Sequence, residues 1–226
     1  MSSSESSTPS ARRTFLERAA VGAAAFAAVP LLASCEGGEE EEARLPADEP
    51  WLKPLTGKHK QVFDAPESNE GFPLIFAWAY LETMTKSYNL QAGEANAIII
   101  TRHFGIPIAL TDAIWAKYKL GEMLKLNDPA TKKPSVRNYF WNSKEGDILV
   151  PDASADKLIG RGVVIGVCNL ALTVLSGKAA AGAGVTPEAA LAEWTAGLIP
   201  GAHVVASGVL AVGRAQEHGC SYCFAG

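Results

Sequence analysis

Three groups of residues in this 226-residue chain could do chemistry. The first is Cys168. It closes the apolar run Gly162-Val163-Val164-Ile165-Gly166-Val167 and opens an Ala/Leu-rich segment that begins at Asn169. A thiol between a strand end and a helix start sits where the helix N-terminus favours negative charge, and the thiolate is the form that attacks or carries sulfur. The second group is Arg102-His103, after the run Asn96-Ala97-Ile98-Ile99-Ile100-Thr101. A histidine facing Cys168 would favour the thiolate or hold an anionic sulfur species. The third group is Cys220-Ser221-Tyr222-Cys223. A C-x-x-C spacing suits a dithiol or half of a metal site. In a strand, however, its two sulfurs face opposite ways, with Cα atoms about 10 Å apart, beyond the roughly 7 Å a disulfide allows.

Each group also has a plainer reading. Cys168 is equally a small buried thiol, since free cysteine is among the most buried residue types. His103 is equally a capping or interface residue. Cys220 and Cys223 serve as structural or subunit-interface thiols, or in a disulfide, to Cys168 or between chains, if the domain is exported to an oxidising compartment. A zinc site at the pair would need further ligands, and only His218 is near in sequence, so no metal is expected.

The elements that must position these residues alternate. Short strands are expected at 59–64, 96–101, 162–167, 202–206 and 220–224. Helices are expected at 71–88, with Pro73 in the first turn, at 108–123, at 169–181, from Thr186-Pro187 with Thr186 as N-cap, and at 207–217 behind Ser207. Alternation of this kind gives an α/β fold: a single domain with a mostly parallel five-stranded sheet and helices on both faces. Residues 127–157 interrupt the pattern with Pro129, Pro134, Pro151 and the aromatic patch Tyr139-Phe140-Trp141. A connection this long is more often functional or interface-forming, and packing in an oligomer is the reading preferred for it.

Several blocks in this order resemble the DsrE/DsrF-like sulfur-relay superfamily. They are Arg102-His103-Phe104-Gly105-Ile106-Pro107-Ile108-Ala109-Leu110, the strand ending in Cys168, Thr186-Pro187-Glu188, Leu198-Ile199-Pro200-Gly201-Ala202-His203-Val204-Val205, Ser207-Gly208-Val209 and Gln216-Glu217-His218-Gly219. The resemblance covers about 58–226 apart from the 127–157 insertion. It implies a five-stranded, mostly parallel α/β domain assembled as a trimer or hexamer. It also implies a cysteine at the third strand's end that holds sulfur as a persulfide, exchanged with a donor or acceptor protein. On this reading Cys168 and His103 are the catalytic candidates and Arg102 and Asn169 the ligand-binding ones; Asn169 stands where the family commonly has glycine. The alternative is a non-catalytic oligomeric binding or scaffold subunit.

The front of the chain has a different texture. Arg12-Arg13-Thr14-Phe15-Leu16 resembles a twin-arginine (Tat) export signal, with Glu17 where a lysine is usual. An uncharged apolar run from Ala19 to Ser34 follows, short for a spanning helix and suited to a signal segment. Leu32-Ala33-Ser34-Cys35 resembles a lipobox, which makes Cys35 the expected lipidation site and the start of the mature chain. Residues 35–57, including Glu39 to Glu42, read as an acidic, flexible tether. The expected location is therefore the periplasmic or other extracytoplasmic membrane face.

Composition sets the outer limits. With 20 Lys+Arg against 24 Asp+Glu and a net charge of −4, the chain lacks the basic excess of a nucleic-acid binder. At 48% hydrophobic and 19% charged it has a globular composition. No G-x-G-x-x-G, Walker loop or G-x-S-x-G elbow occurs, and no cofactor is expected.

Overall fold

The computed structural model describes residues 49–226. The arginine pair, the lipobox with Cys35 and most of the acidic tether lie outside the described residues. Five strands, β1 (His59–Glu67), β2 (Ala95–Phe104), β3 (Val164–Cys168), β4 (Ala202–Val205) and β5 (Ser221–Phe224), form one sheet in the order β4-β3-β2-β1-β5. All four pairings are parallel. The helices among the described residues are α1 (Phe72–Tyr88), α2 (Asp112–Lys117), α3 (Leu120–Leu124), α4 (Ala155–Gly160), α5 (Asn169–Ala180), α6 (Pro187–Ala196) and α7 (Gly208–Glu217).

The strand alternation explains the layers. On β2, Ile99 points into one apolar cluster while Ile98 and Ile100 point into another, and all three are fully buried. A parallel strand buried on both faces reads as such a continuous run. The first cluster draws side chains from α1 to α6. The second face is covered by α7, through Ala211 and Ala215, and by Trp51, Leu52 and Leu55. Those three residues fall within the segment read as tether, so the packed part of the chain begins before residue 58. Glu49 helps to hold them, accepting from the Trp51 indole at 2.5 Å and from Arg214 Nε at 3.0 Å.

The expected helix over 108–123 is not one helix. Ile106–Ala109 forms a 3-10 turn, α2 starts at Asp112, and α3 follows a left-handed residue, Lys119 (φ 49°). The cause lies in where the backbone groups of 107–111 find partners. The Trp115 indole donates to the Pro107 carbonyl, the Ile199 N–H to the Ala109 carbonyl, and the Thr111 N–H to the Gly197 carbonyl. The Asn138 amide donates to the carbonyls of Ile108 and Leu110 at 2.9 and 2.7 Å. A helix there would need the same groups for itself.

Asn138 belongs to the 127–157 segment, and two residues of the aromatic patch there face inward. Tyr139 and Phe140 are buried in this chain's own core against Trp115. Arg137 ties the segment together, donating to Asp128 at 2.6 Å and to Asp147 through two bonds of 2.8 and 2.5 Å. The Arg137 guanidinium holds the Asp147 carboxyl below its ordinary range against the opposing effect of burial. Burial pushes the Asp128 carboxyl up, but the N–H groups of Thr131 and Ala130 together with Arg137 outweigh it and leave it lowered. Lowered carboxyls stabilise the fold above the ordinary carboxylate range, and that contribution is lost as pH falls through their folded values. Arg137→Met should therefore reduce unfolding stability in urea by about 2 kcal/mol, less than a fully buried pair because the guanidinium keeps some solvent contact. In the wild type, acidification below about pH 4 should open 127–150 to limited proteolysis before the sheet unfolds. Equal stability of the variant and the wild type would contradict the role given to Arg137.

Candidate functional site

The connections that follow adjacent strands β3 and β4 leave to opposite faces. From β3 the chain enters α5 on the six-helix face; from β4 it enters α7 on the other. A crevice must open between the carboxyl ends of two such strands, and ligands of open α/β sheets bind in crevices of this kind. Here the crevice is a cavity of about 300 Å³ walled by Arg102, His103, Cys168, Lys178, Ser207 and an apolar set from Phe104 to Val209.

Cys168 is both the last residue of β3 and the N-cap of α5. Its backbone is extended (φ −63°, ψ 113°), and its Sγ accepts from the Ala171 N–H at 3.4 Å. That N–H is one of the first-turn donors a helix leaves without an internal partner, so sulfur takes the place usually filled by a serine or aspartate oxygen. The residue is 6% exposed, and its remaining surface faces the cavity. The N-terminus of α7 comes equally close. A Cβ on Gly208 would lie 2.7 Å from the Arg102 Cβ and 3.2 Å from the Cys168 Cβ, so only glycine allows the two helix starts to meet there.

Arg102 and His103 reach the site through an irregularity in β2. Ala65 pairs with Thr101 but Glu67 pairs with Phe104, so β2 carries one extra residue. Bulges re-aim side chains and are common beside active sites. His103 takes the strained backbone (φ 47°), and its ring lies against Phe104 at 3.9 Å between centroids. The Gly105 N–H closes the turn on the Arg102 carbonyl at 2.8 Å, and a side chain at Gly105 would strike the Ala65 carbonyl. His103 is exposed on the rim while Arg102 folds inward.

Arg102 is held by a residue that reading the sequence missed. Asp64, 4% exposed, accepts from Arg102 Nε at 2.7 Å and Nη2 at 2.9 Å, and from the Tyr222 hydroxyl at 3.1 Å. The bond to Asp64 is the main reason the guanidinium holds its proton more tightly than usual. The available signal was an acid at the end of the apolar run Val62-Phe63, which a strand buried on both faces does not tolerate unpaired.

The other candidates stand elsewhere. Asn169, first residue of α5, is exposed and does not line the cavity, because one residue along a helix turns the side chain by about 100°. Ser207 occupies the N-cap position of α7 without a side-chain capping bond and faces the cavity instead. Cys220 packs in the cluster beneath α7, and Cys223 against the opposite cluster. Both are free thiols, and burial pushes both above the ordinary cysteine range. β5 lies three strand spacings from β3, roughly 14 Å, so neither thiol of the pair can reach Cys168 within one chain. The His218 ring contacts the Leu55 carbonyl at 3.2 Å, and no cluster of three metal-ligating side chains occurs among the described residues. A larger cleft of about 1000 Å³ runs beside the 127–151 segment, but its wall holds no cysteine, serine, threonine or histidine, and Asp147 there is committed to Arg137.

No protein-family model matches the chain, and no curated protein matches it. Among solved structures, the chain is similar to a protein of unknown function, MTH1491 from Methanobacterium thermoautotrophicum. The identity is 18% and the TM-score 0.40, over 74% of this chain and 98% of that one.

The buried carboxylate sets the expectation for mutagenesis. Asp64→Asn, which leaves Arg102 without its charge partner, should lower unfolding stability by about 2 kcal/mol. Tyr222→Phe, which removes one hydrogen bond, should cost about 1 kcal/mol. Urea titration of both variants checks the order; a larger loss in Tyr222→Phe would reverse the assignment.

Proposed function

We propose that the protein is a thiol-based sulfur carrier whose working group is Cys168. The observation that carries this reading is the seat of the thiol: Sγ accepts an N–H bond at the start of α5, on the wall of the strand-end cavity, with Arg102 beside it. A helix N-terminus stabilises negative charge that develops beside it. The reaction is a sulfur exchange. The Cys168 thiolate attacks the outer sulfur of a donor R–S–SH, forming a new S–S bond to Sγ. The donor's own S–S bond breaks, its electron pair leaves with R–S⁻, and the proton stays on the transferred sulfur. An acceptor thiolate reverses the step, and no oxidant or reductant is consumed. Arg102, fixed in direction by Asp64, walls the space where the leaving sulfur departs, with His103 on the rim. The motifs at 12–16 and 32–35 support export by the Tat route and attachment through Cys35 at the extracytoplasmic membrane face.

The test uses the full chain. Iodoacetamide at neutral pH should label Cys168 ahead of Cys220 and Cys223, whose raised thiols stay protonated. Incubation of a separate, unalkylated sample with glutathione persulfide should add the mass of one sulfur atom to the peptide holding Cys168. A Cys168 inert to both reagents ends the proposal.

A second reading, an oligomeric binding or scaffold subunit, rests on the apolar side chains rimming the same cavity. Leu170 is 60% and Val209 72% exposed, with Phe104 and Val174 beside them. Under that reading the wild type sediments as a trimer or hexamer, Val209→Asp as a monomer, and Cys168 takes up no sulfur. A wild-type monomer would rule it out.

A further inference from the structure

Resting on the sulfur-carrier reading, we propose that the exchange partner is a small organic thiol or persulfide with an unbranched apolar body and a terminal carboxylate. Its sulfur meets Cys168 and its carboxylate meets Lys178.

The cavity wall follows one face of α5. Leu170, Ala171, Val174, Leu175 and Lys178 all line it, at the i, i+3 and i+4 spacings that stack side chains on one face. Cys168 stands at one end of this stripe and Lys178 at the other. Ten residues of helix span roughly 15 Å. Long helical side chains lean back toward the N-terminus, which shortens the interval between the Lys178 ammonium and the thiol. An unbranched chain of several carbons laid along the stripe runs from one end toward the other.

The charges agree with an anion at the far end. No carboxylate lines the cavity. The charge of Arg102 is balanced by Asp64, which grips it through two bonds. Lys178 is exposed and makes no salt bridge among the described residues. The N-termini of α5 and α7 add partial positive charge beside the thiol, where the sulfur anion of the exchange develops. Between the charged ends, Leu170 and Val174 leave more than half of their surface in water. An alkyl chain laid along them removes that surface from solvent. A volume near 300 Å³ lies at the lower end of small-molecule sites.

The experiment measures the rate at which iodoacetamide alkylates Cys168 in the full chain, by peptide mapping, with three additives at equal millimolar concentration. Hexanoate carries both the chain and the charge, 1-hexanol only the chain, and acetate only the charge. Hexanoate at about four times its Kd should slow alkylation about fivefold, with little effect from the other two. Lys178→Glu should abolish the protection while its circular dichroism matches the wild type. Equal protection by acetate or by hexanol overturns the proposal. So does protection by hexanoate that survives Lys178→Glu. Protection by none of the three also overturns it, and points to a protein thiol as partner. In each of these cases a Cys168 that still alkylates leaves the sulfur-carrier reading standing. A Cys168 inert without any additive removes both.

Discussion

The inner strands of a parallel sheet are apolar on both sides, so neither face can be left in water. Most of this fold follows from that constraint. The triple isoleucine of β2 divides its side chains between two clusters, and each must be covered. The chain spends α1 to α6 on one side and reaches β4 with the other side covered only by Trp51, Leu52 and Leu55. α7 closes it, carrying the chain from β4 at one edge to β5 at the other. This change of side opens the crevice beside Cys168. The cavity is thus a by-product of covering the second face, and the glycine at 208 is the steric condition for α7 to start there.

Within that crevice the electrostatics are arranged in depth. Asp64 is almost fully buried and neutralises Arg102, so the guanidinium is fixed in direction with its charge largely offset. A buried carboxylate with two N–H bonds and a phenol hydroxyl has its acceptor needs met, which makes its burial tolerable. The bulge in β2 then sorts Arg102 and His103, the first inward to Asp64 and the second outward onto Phe104. Two adjacent residues that look equivalent on the page thus have different surroundings: one is a fixed wall of the site, the other a rim residue.

The 127–157 segment shows how a stretch without periodicity can still be core. Its order comes from a few polar side chains in fixed positions. Arg137 bridges two aspartates within the segment, and Asn138 satisfies the carbonyls of Ile108 and Leu110. Those long-range bonds also account for the irregular path of 106–119, where apolar spacing alone favours a continuous helix. Helical period is a local property, whereas the competing partners for these carbonyls lie about 30 residues away in sequence.

The sequence by itself determined the α/β class, the five strands within a few residues, α1, α5, α6 with its Thr186 cap, α7, and Cys168 at the junction of β3 and α5. These are short-range consequences of apolar runs, helical spacing and turn residues, which act between near neighbours in the chain. It also indicated that Cys220 and Cys223 face apart, because strand alternation is equally local. Only the tertiary structure decided the strand order, the early start of packing at Trp51, the burial of Tyr139 and Phe140, and the separation of Asn169 from the cavity. It alone joined Asp64 to Arg102 and to Tyr222, across 38 and 158 residues of chain. Such pairings depend on which strands become neighbours, and that is settled by the requirement to cover both faces of the sheet at once.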